Sequence, residues 1–395
     1  MTKIVVWDFD GPINLGSMAA KVTKTSNHAY STYDGKEVTG LEIYIQPLHF
    51  LKTTLEILSE HNVISVLGSQ RIAFKNSENA DADVMYNVLN EILGSERKYL
   101  QEQEAKKIGQ DLCFKELKED KSPILNKYYE TYLRTCAQLN KKDIILVDDY
   151  STYQASTEKS GYGFIHAPRE YTSIGSEADQ AYLFNVLCQI IEPEKVLATL
   201  NVIIHKEQND EIKNELNQYK EYFVSYLVDK HPLKTKKLLK SYTEKNKQNQ
   251  LIKKVNPTFK AIDQSEISAQ NKITTKKNIL KVALLPESKT NQENLRSHIQ
   301  SLKKRNFSKK KVLIGALEMF AGFAITVASV IICVSGTATG VGAATGIGIM
   351  AVGIVSGLTL FANGAQKASC PNKIANKKIN AIENFINNTS PASNL

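Results

Sequence analysis

The chain has 395 residues, 42% hydrophobic and 23% charged, with a formal net charge of +9, an ordinary composition for a folded protein with room for two or three domains. The charge is unevenly spread: residues 1–230 hold 25 Lys+Arg against 34 Asp+Glu, and residues 231–311 hold 21 against 5, which directs the second segment toward an anionic surface. Five widely spaced cysteines, with no CxxC pair and no His spacing that would suggest zinc, fit a reducing compartment, and the opening MTKIVVWDFDG lacks the apolar stretch of a secretory signal.

In chain order, Ile4 to Trp7 is a β-branched and aromatic run followed at once by Asp8-Phe9-Asp10-Gly11, the pattern of a buried strand ending in a turn. Leu48 to Glu60 has helical periodicity, and Val63 to Leu67 is a second strand run closed by Gly68-Ser69. Asp81 to Leu93 and Ile124 to Leu139 read as helices, Ile144 to Val147 as a third strand closed by Asp148-Asp149, and Tyr162 to His166 as one more. Strands alternating with helices predict an α/β domain over 1–192, a Rossmann-like parallel sheet with helices on both faces. Such sheets bind ligands outside the carboxyl ends of their strands, where the first three runs carry residues able to hold phosphate or metal.

Residues 193–246 read as a helical region, with apolar residues at helical spacing such as Tyr219, Tyr222, Phe223 and Tyr226. Residues 247–311, rich in Lys, Asn, Gln, Ser and Thr, read as a basic polar linker, loose or partly helical. From Val312 to Val334 Glu318 is the sole charge, and Gly346 to Ala362 is a second apolar run. These predict a transmembrane helical hairpin over 312–365 and a polar tail over 366–395. Lys303, Lys304, Arg305, Lys309, Lys310 and Lys311 before it, and Lys367, Lys373, Lys377 and Lys378 after it, place both ends on the cytoplasmic side. Gly342 with Gly346 and Gly353 with Gly357 would let the helices approach closely. The competing expectation is a buried core hairpin in a soluble domain.

Phosphoryl transfer needs a nucleophile, a proton donor and positive charge for the transferring oxygens. Asp8 and Asp10 supply two carboxylates just past a strand end. An aspartate attacks a phosphate dianion when a cation offsets the repulsion, and magnesium does this with a few carboxylates. Asp148 and Asp149 are natural partners for the ion, Ser69 can donate to a phosphate oxygen, and a lysine can neutralise the remaining charge. No GxxxxGK[ST], HExxH or GxSxG motif is present, so P-loop nucleotide binding, zinc proteolysis and serine hydrolysis have no support. The seven histidines are expected at the surface or core edge, with a place near the site as the alternative for His28 or His166.

Residues WDFDG at 7–11, VLGSQ at 66–70 and LVDDY at 146–150 resemble, in order and placement, the first, second and fourth motifs of the haloacid dehalogenase (HAD-like) superfamily. Lys121, followed by Ser-Pro, resembles the third-motif lysine, with Lys115, Lys118 and Lys127 as neighbouring alternatives. The resemblance covers about 1–190 and implies a magnesium-dependent phosphoric monoester hydrolase. By it, Asp8 forms an aspartyl-phosphate, Asp10 protonates the leaving group and then activates water, and Ser69 and Lys121 hold the phosphoryl group. Asp8, the main-chain carbonyl of Asp10, and Asp148 or Asp149 bind Mg2+. Pro12 and Gln70 depart from the family's usual Thr or Val and Asn, which leaves room for a degenerate domain. Only Asn14 to Leu48 separates the first motif from the next helix, too short for a large helical cap, so an open site is implied; Arg71 to Asp120 either elaborates the sheet rim or covers the site.

The expected function is a phosphatase acting on a phosphorylated protein, phosphoinositide or small molecule, tethered to membrane lipid through 303–365 with its catalytic domain in cytosol. Nucleic acid is disfavoured because the basic segment lacks interleaved aromatics. The alternatives are a degenerate HAD-like scaffold that binds a phosphorylated partner at a membrane, and a phosphotransferase or nucleic-acid end-processing enzyme. In layout alone the chain resembles type IV secreted effectors of intracellular bacteria, which implies a host-cell membrane as its working place.

Overall fold

The computed structural model describes residues 2–9, 11–13, 21–25, 28–33, 36–44, 48–69, 72, 89, 93–112, 117, 120–167, 181–245, 250–305 and 310–338. The chain divides into two compact units, Met1–Phe223 and Val224–Leu395. Along the first run β1 (Lys3–Trp7), β2 (Lys21–Thr25), β3 (His28–Tyr33), β4 (Lys36–Tyr44), α1 (Leu48–Glu60), β5 (Val63–Leu67), α2 (Glu102–Gly109), α3 (Ser122–Leu133), β6 (Ile144–Asp148), α4 (Tyr153–Lys159), β7 (Gly163–His166), α5 (Ala181–Ile190) and α6 (Pro193–Lys206). Helix α7 (Asp210–Lys230) carries the division between the units.

The expected α/β architecture is present as a parallel four-stranded sheet of order β5-β1-β6-β7 with helices between and after its strands. Strand β1 is hydrogen-bonded on both edges, pairing Trp7 with Leu67 of β5 and with Val147 of β6. Ile4, Val5, Val6 and Trp7 are fully buried, which explains why β1 reads as an unbroken apolar run rather than an alternating one. The ladder continues past the strand ends: Asp8 N donates to Val147 O at 2.9 Å, Gly68 N to Trp7 O at 2.7 Å, and Ala167 N to Asp148 O at 2.9 Å. These bonds fix the main chain where the acidic residues begin.

A second sheet, antiparallel and of order β2-β3-β4, occupies part of the Asn14 to Leu48 segment, the one expected to be too short for a large helical cap. Its register sets Thr25 opposite His28 and Tyr33 opposite Lys36.

Helix α1 buries Phe50, Leu51, Thr54, Leu55 and Leu58, an i, i+3/i+4 stripe. Tyr219, from the first part of α7, meets Phe50 edge-on at 5.0 Å and Phe184 of α5 at 5.1 Å, and Phe223 lies 6.0 Å from Phe184. The Thr54 hydroxyl donates to Phe50 O at 2.8 Å and accepts from the Tyr219 hydroxyl at 2.7 Å. The compact sheet unit therefore extends through α6 to Phe223.

The second unit contains α8 (Pro232–Lys245), α9 (Gln250–Gln264), α10 (Ala269–Leu284), α11 (Lys289–Lys303) and α12 (Lys310–Ala338). The segment 247–311, expected to be a loose or partly helical linker, is helical over most of its length, forming α9, α10 and α11. Ser268 and Ser288 cap α10 and α11 by accepting from the N–H groups of Asn271 and Asn291. Leu251, Val255 and Ile262 of α9 share one core with Ile279, Val282, Leu295, Ile299 and Leu302. Spacing of three and four residues, not average polarity, decided the structure.

The same core takes Leu313, Leu317, Phe320, Ala321 and Ala324 from α12, the start of the run expected to cross a membrane. Glu318 is 3% exposed and forms a 2.6 Å ion pair with Lys303, the partner a buried carboxylate requires. Among the described residues, no helix is long and apolar enough to cross a membrane. The transmembrane hairpin thus gains no support, and its second arm at 346–362 and the tail at 366–395 lie outside the described residues.

Candidate active site

Three neighbouring parallel strands end in polar residues at one edge of the sheet. Asp8 follows β1, Ser69 stands two residues past β5, and Asp148 closes β6 with Asp149 behind it. All four are buried, at 7%, 2%, 0% and 6% exposure in that order. Where β1 turns, Gly11 has φ +91°, and a Cβ there would lie 2.5 Å from Asp149 Cβ, so the turn needs glycine for its backbone and for its space. The Tyr182 hydroxyl donates to Pro12 O at 2.6 Å and ties the same turn to α5.

Lys121 immediately precedes α3, with Pro123 in that helix's first turn, where a missing N–H costs nothing. Tyr128, two turns on, donates to Leu67 O at 2.6 Å and so anchors α3 to the end of β5. Lys121 is 1% exposed; its Nζ lies 2.9 Å from Asp8 Oδ1 and 2.5 Å from Asp148 Oδ2. Burial pulls the pKa of this ammonium down, but Asp8 and Asp148 outweigh it and hold the group above its ordinary range.

Asp148 Oδ1 accepts from Tyr150 N at 2.8 Å, while His166 Nε2 lies 3.0 Å from Asp149 O and therefore carries the ring proton that it donates there. Burial, and then the charge of Asp8, raise the Asp148 pKa well above the usual carboxylate range, with Lys121 opposing them. Carboxylate oxygens of Asp8, Asp148 and Asp149 lie within 4.8 Å of one another. Three carboxylates around one ammonium leave an excess of negative charge in a buried site. A hard divalent cation with oxygen ligands suits that set.

The structure brings together Asp8, Lys121, Asp148 and Asp149, and puts buried Ser69 on the adjacent strand end. Asp10 lies outside the described residues, as do Lys115 and Lys118. Lys127 is turned to the surface, in a 3.6 Å ion pair with Asp111 whose two side chains are 42% and 69% exposed. Lys121 is thus the lysine of the cluster. His166 on β7 meets Asp149 O, and Tyr182, which nothing in the sequence singles out, reaches Pro12 through a chain crossing that no local pattern announces. Compared with protein-family models, with curated proteins and with solved structures, the chain matches none.

Proposed function

We propose that the first unit is a magnesium-dependent phosphatase of the haloacid dehalogenase type, working through an aspartyl-phosphate on Asp8. The observation that carries this reading is Lys121, buried between Asp8 and Asp148 at the carboxyl ends of β1 and β6 with Asp149 beside them. A purely structural ion pair needs one carboxylate per lysine, whereas the surplus here suits a site that must attract a cation and then a phosphate.

Asp8, Asp148 and Asp149 would hold Mg2+, which when bound offsets the repulsion between the Asp8 carboxylate and a phosphate dianion. Asp8 attacks phosphorus as the bond to the ester oxygen breaks, and by the resemblance Asp10 gives that oxygen its proton. Asp10 then takes a proton from the water that releases inorganic phosphate and restores Asp8. Lys121 holds the Asp8 carboxylate in place and sets a fixed positive charge beside the transferring oxygens; Ser69 donates to them. The tether expected through 303–365 has no bearing on this chemistry.

Phosphate release by the full-length chain from p-nitrophenyl phosphate, a phosphopeptide panel and phosphoinositide vesicles, with and without magnesium, tests the reading. Activity that requires magnesium and disappears in Asp8→Asn supports it. Folded protein that is silent on every ester with magnesium present overturns it in favour of a degenerate, phosphate-binding scaffold.

A further inference from the structure

Beside the charge cluster, two tyrosines lead from the buried ammonium to solvent. Tyr150 N donates to Asp148 Oδ1 at 2.8 Å and Tyr153 N to Tyr150 O at 3.1 Å, so the turn from β6 into α4 fixes both backbones against the site. The Tyr153 ring, 5% exposed, has its centroid 5.2 Å from Lys121 Nζ. The Tyr150 ring lies 5.7 Å from the Tyr153 ring, tilted by 44°, and Tyr150 is 48% exposed. Ammonium, buried ring and half-exposed ring thus follow one another outward.

A phosphate drawn to Asp8 and Lys121 has its ester group directed away from the buried cluster. Three carboxylates disfavour a second anionic group there, while a tyrosine face offers a flat, polarisable surface that gains contact area at little entropic cost. We propose that Tyr150, braced by Tyr153, forms a leaving-group subsite that selects phosphate monoesters of aromatic groups over aliphatic ones. The inference rests on the phosphatase reading and adds a substrate class to it: aryl phosphates, including the side chain of a phosphotyrosyl peptide.

The test is calorimetric binding of phenylphosphonate and of methylphosphonate to the full-length chain with magnesium, for the parent protein, Tyr150→Ala and Tyr150→Phe. The parent should bind the phenyl compound roughly fivefold more tightly, the gain typical of an aromatic pair. That preference should vanish in Tyr150→Ala and persist in Tyr150→Phe. Equal affinities in the parent, no binding of either probe, or a preference unchanged in Tyr150→Ala would each overturn the subsite. The phosphatase reading is judged separately, by phosphate release: turnover lost in Asp8→Asn together with equal phosphonate affinities would sink the subsite and leave the enzyme standing.

Discussion

Replacing Lys121 by methionine removes the ammonium that Asp8 and Asp148 share while keeping an unbranched side chain in its channel. Lys121 is 1% exposed, Asp8 7% and Asp148 0%, so water has little access to screen the carboxylates left behind. Breaking a buried ion pair from one side costs roughly 3–5 kcal/mol. The unit that holds the site ends at Phe223. For a domain of that size each kcal/mol moves Tm by roughly 2–4 °C, so Lys121→Met should melt roughly 6–20 °C lower at pH 8 without divalent ions. At pH 5 the gap should narrow, because protonating Asp148 removes one of the uncompensated charges. Trp7 is the single tryptophan of the chain, fully buried and next to Asp8, so its fluorescence follows the melting of this sheet. Magnesium should recover part of the loss, and Lys121→Met/Asp148→Asn should melt above Lys121→Met alone. A Lys121→Met protein melting within 2 °C of the parent at pH 8 would refute the claim that this lysine neutralises the cluster.

Asp148, pushed from 3.8 up to about 7, binds more protons folded than unfolded, so its contribution to stability is present below pH 4 and lost as pH rises toward 7. Without divalent ions, Tm of the parent should therefore fall relative to Asp148→Asn across that window, and parallel curves would contradict the shift. Gly11→Ala, at φ +91° and facing Asp149 Cβ, should weaken magnesium binding at least about tenfold by calorimetry, since the turn must move and carry Asp149 with it. An unchanged affinity would show that the turn yields without disturbing the ligands. Thr54→Val deprives the buried Tyr219 hydroxyl of its acceptor and should cost about 1–3 kcal/mol in urea denaturation followed by Trp7; a midpoint unchanged from the parent would mean that another acceptor takes over.

What could be read in the sequence depended on how each segment meets its neighbours. Strands buried on both faces, such as Ile4 to Trp7 and Ile144 to Val147, announce themselves as continuous apolar runs, and their Asp-rich ends mark the site without any knowledge of packing. Lys121 could not be separated by charge from Lys115, Lys118 and Lys127; only its position ahead of the Ser122-Pro123 helix start distinguished it. In the second unit the expectation of a loose or partly helical segment over 247–311 came from averaging composition over residues whose information is periodic. Leu251, Val255 and Ile262 make a stripe, but the lysines and asparagines between them suggested a linker. The start of α12 shows a related ambiguity: Leu313, Leu317, Phe320 and Ala324 join the helical core, and an apolar run of this length suits a bundle core as well as a bilayer.

The return of α7 to the sheet decides how this protein can be taken apart. Tyr219 and Phe223 close an aromatic cluster with Phe50 and Phe184, far along the chain from the last strand. A fragment cut at residue 192, just after α5, would uncover those two rings and offer them to other copies of itself. Its silence in an assay would report an aggregating fragment and say nothing about the chemistry at Asp8. A fair dissection keeps the chain intact through Phe223, and the loss of sheet stability on shortening it further measures what that distant helix contributes.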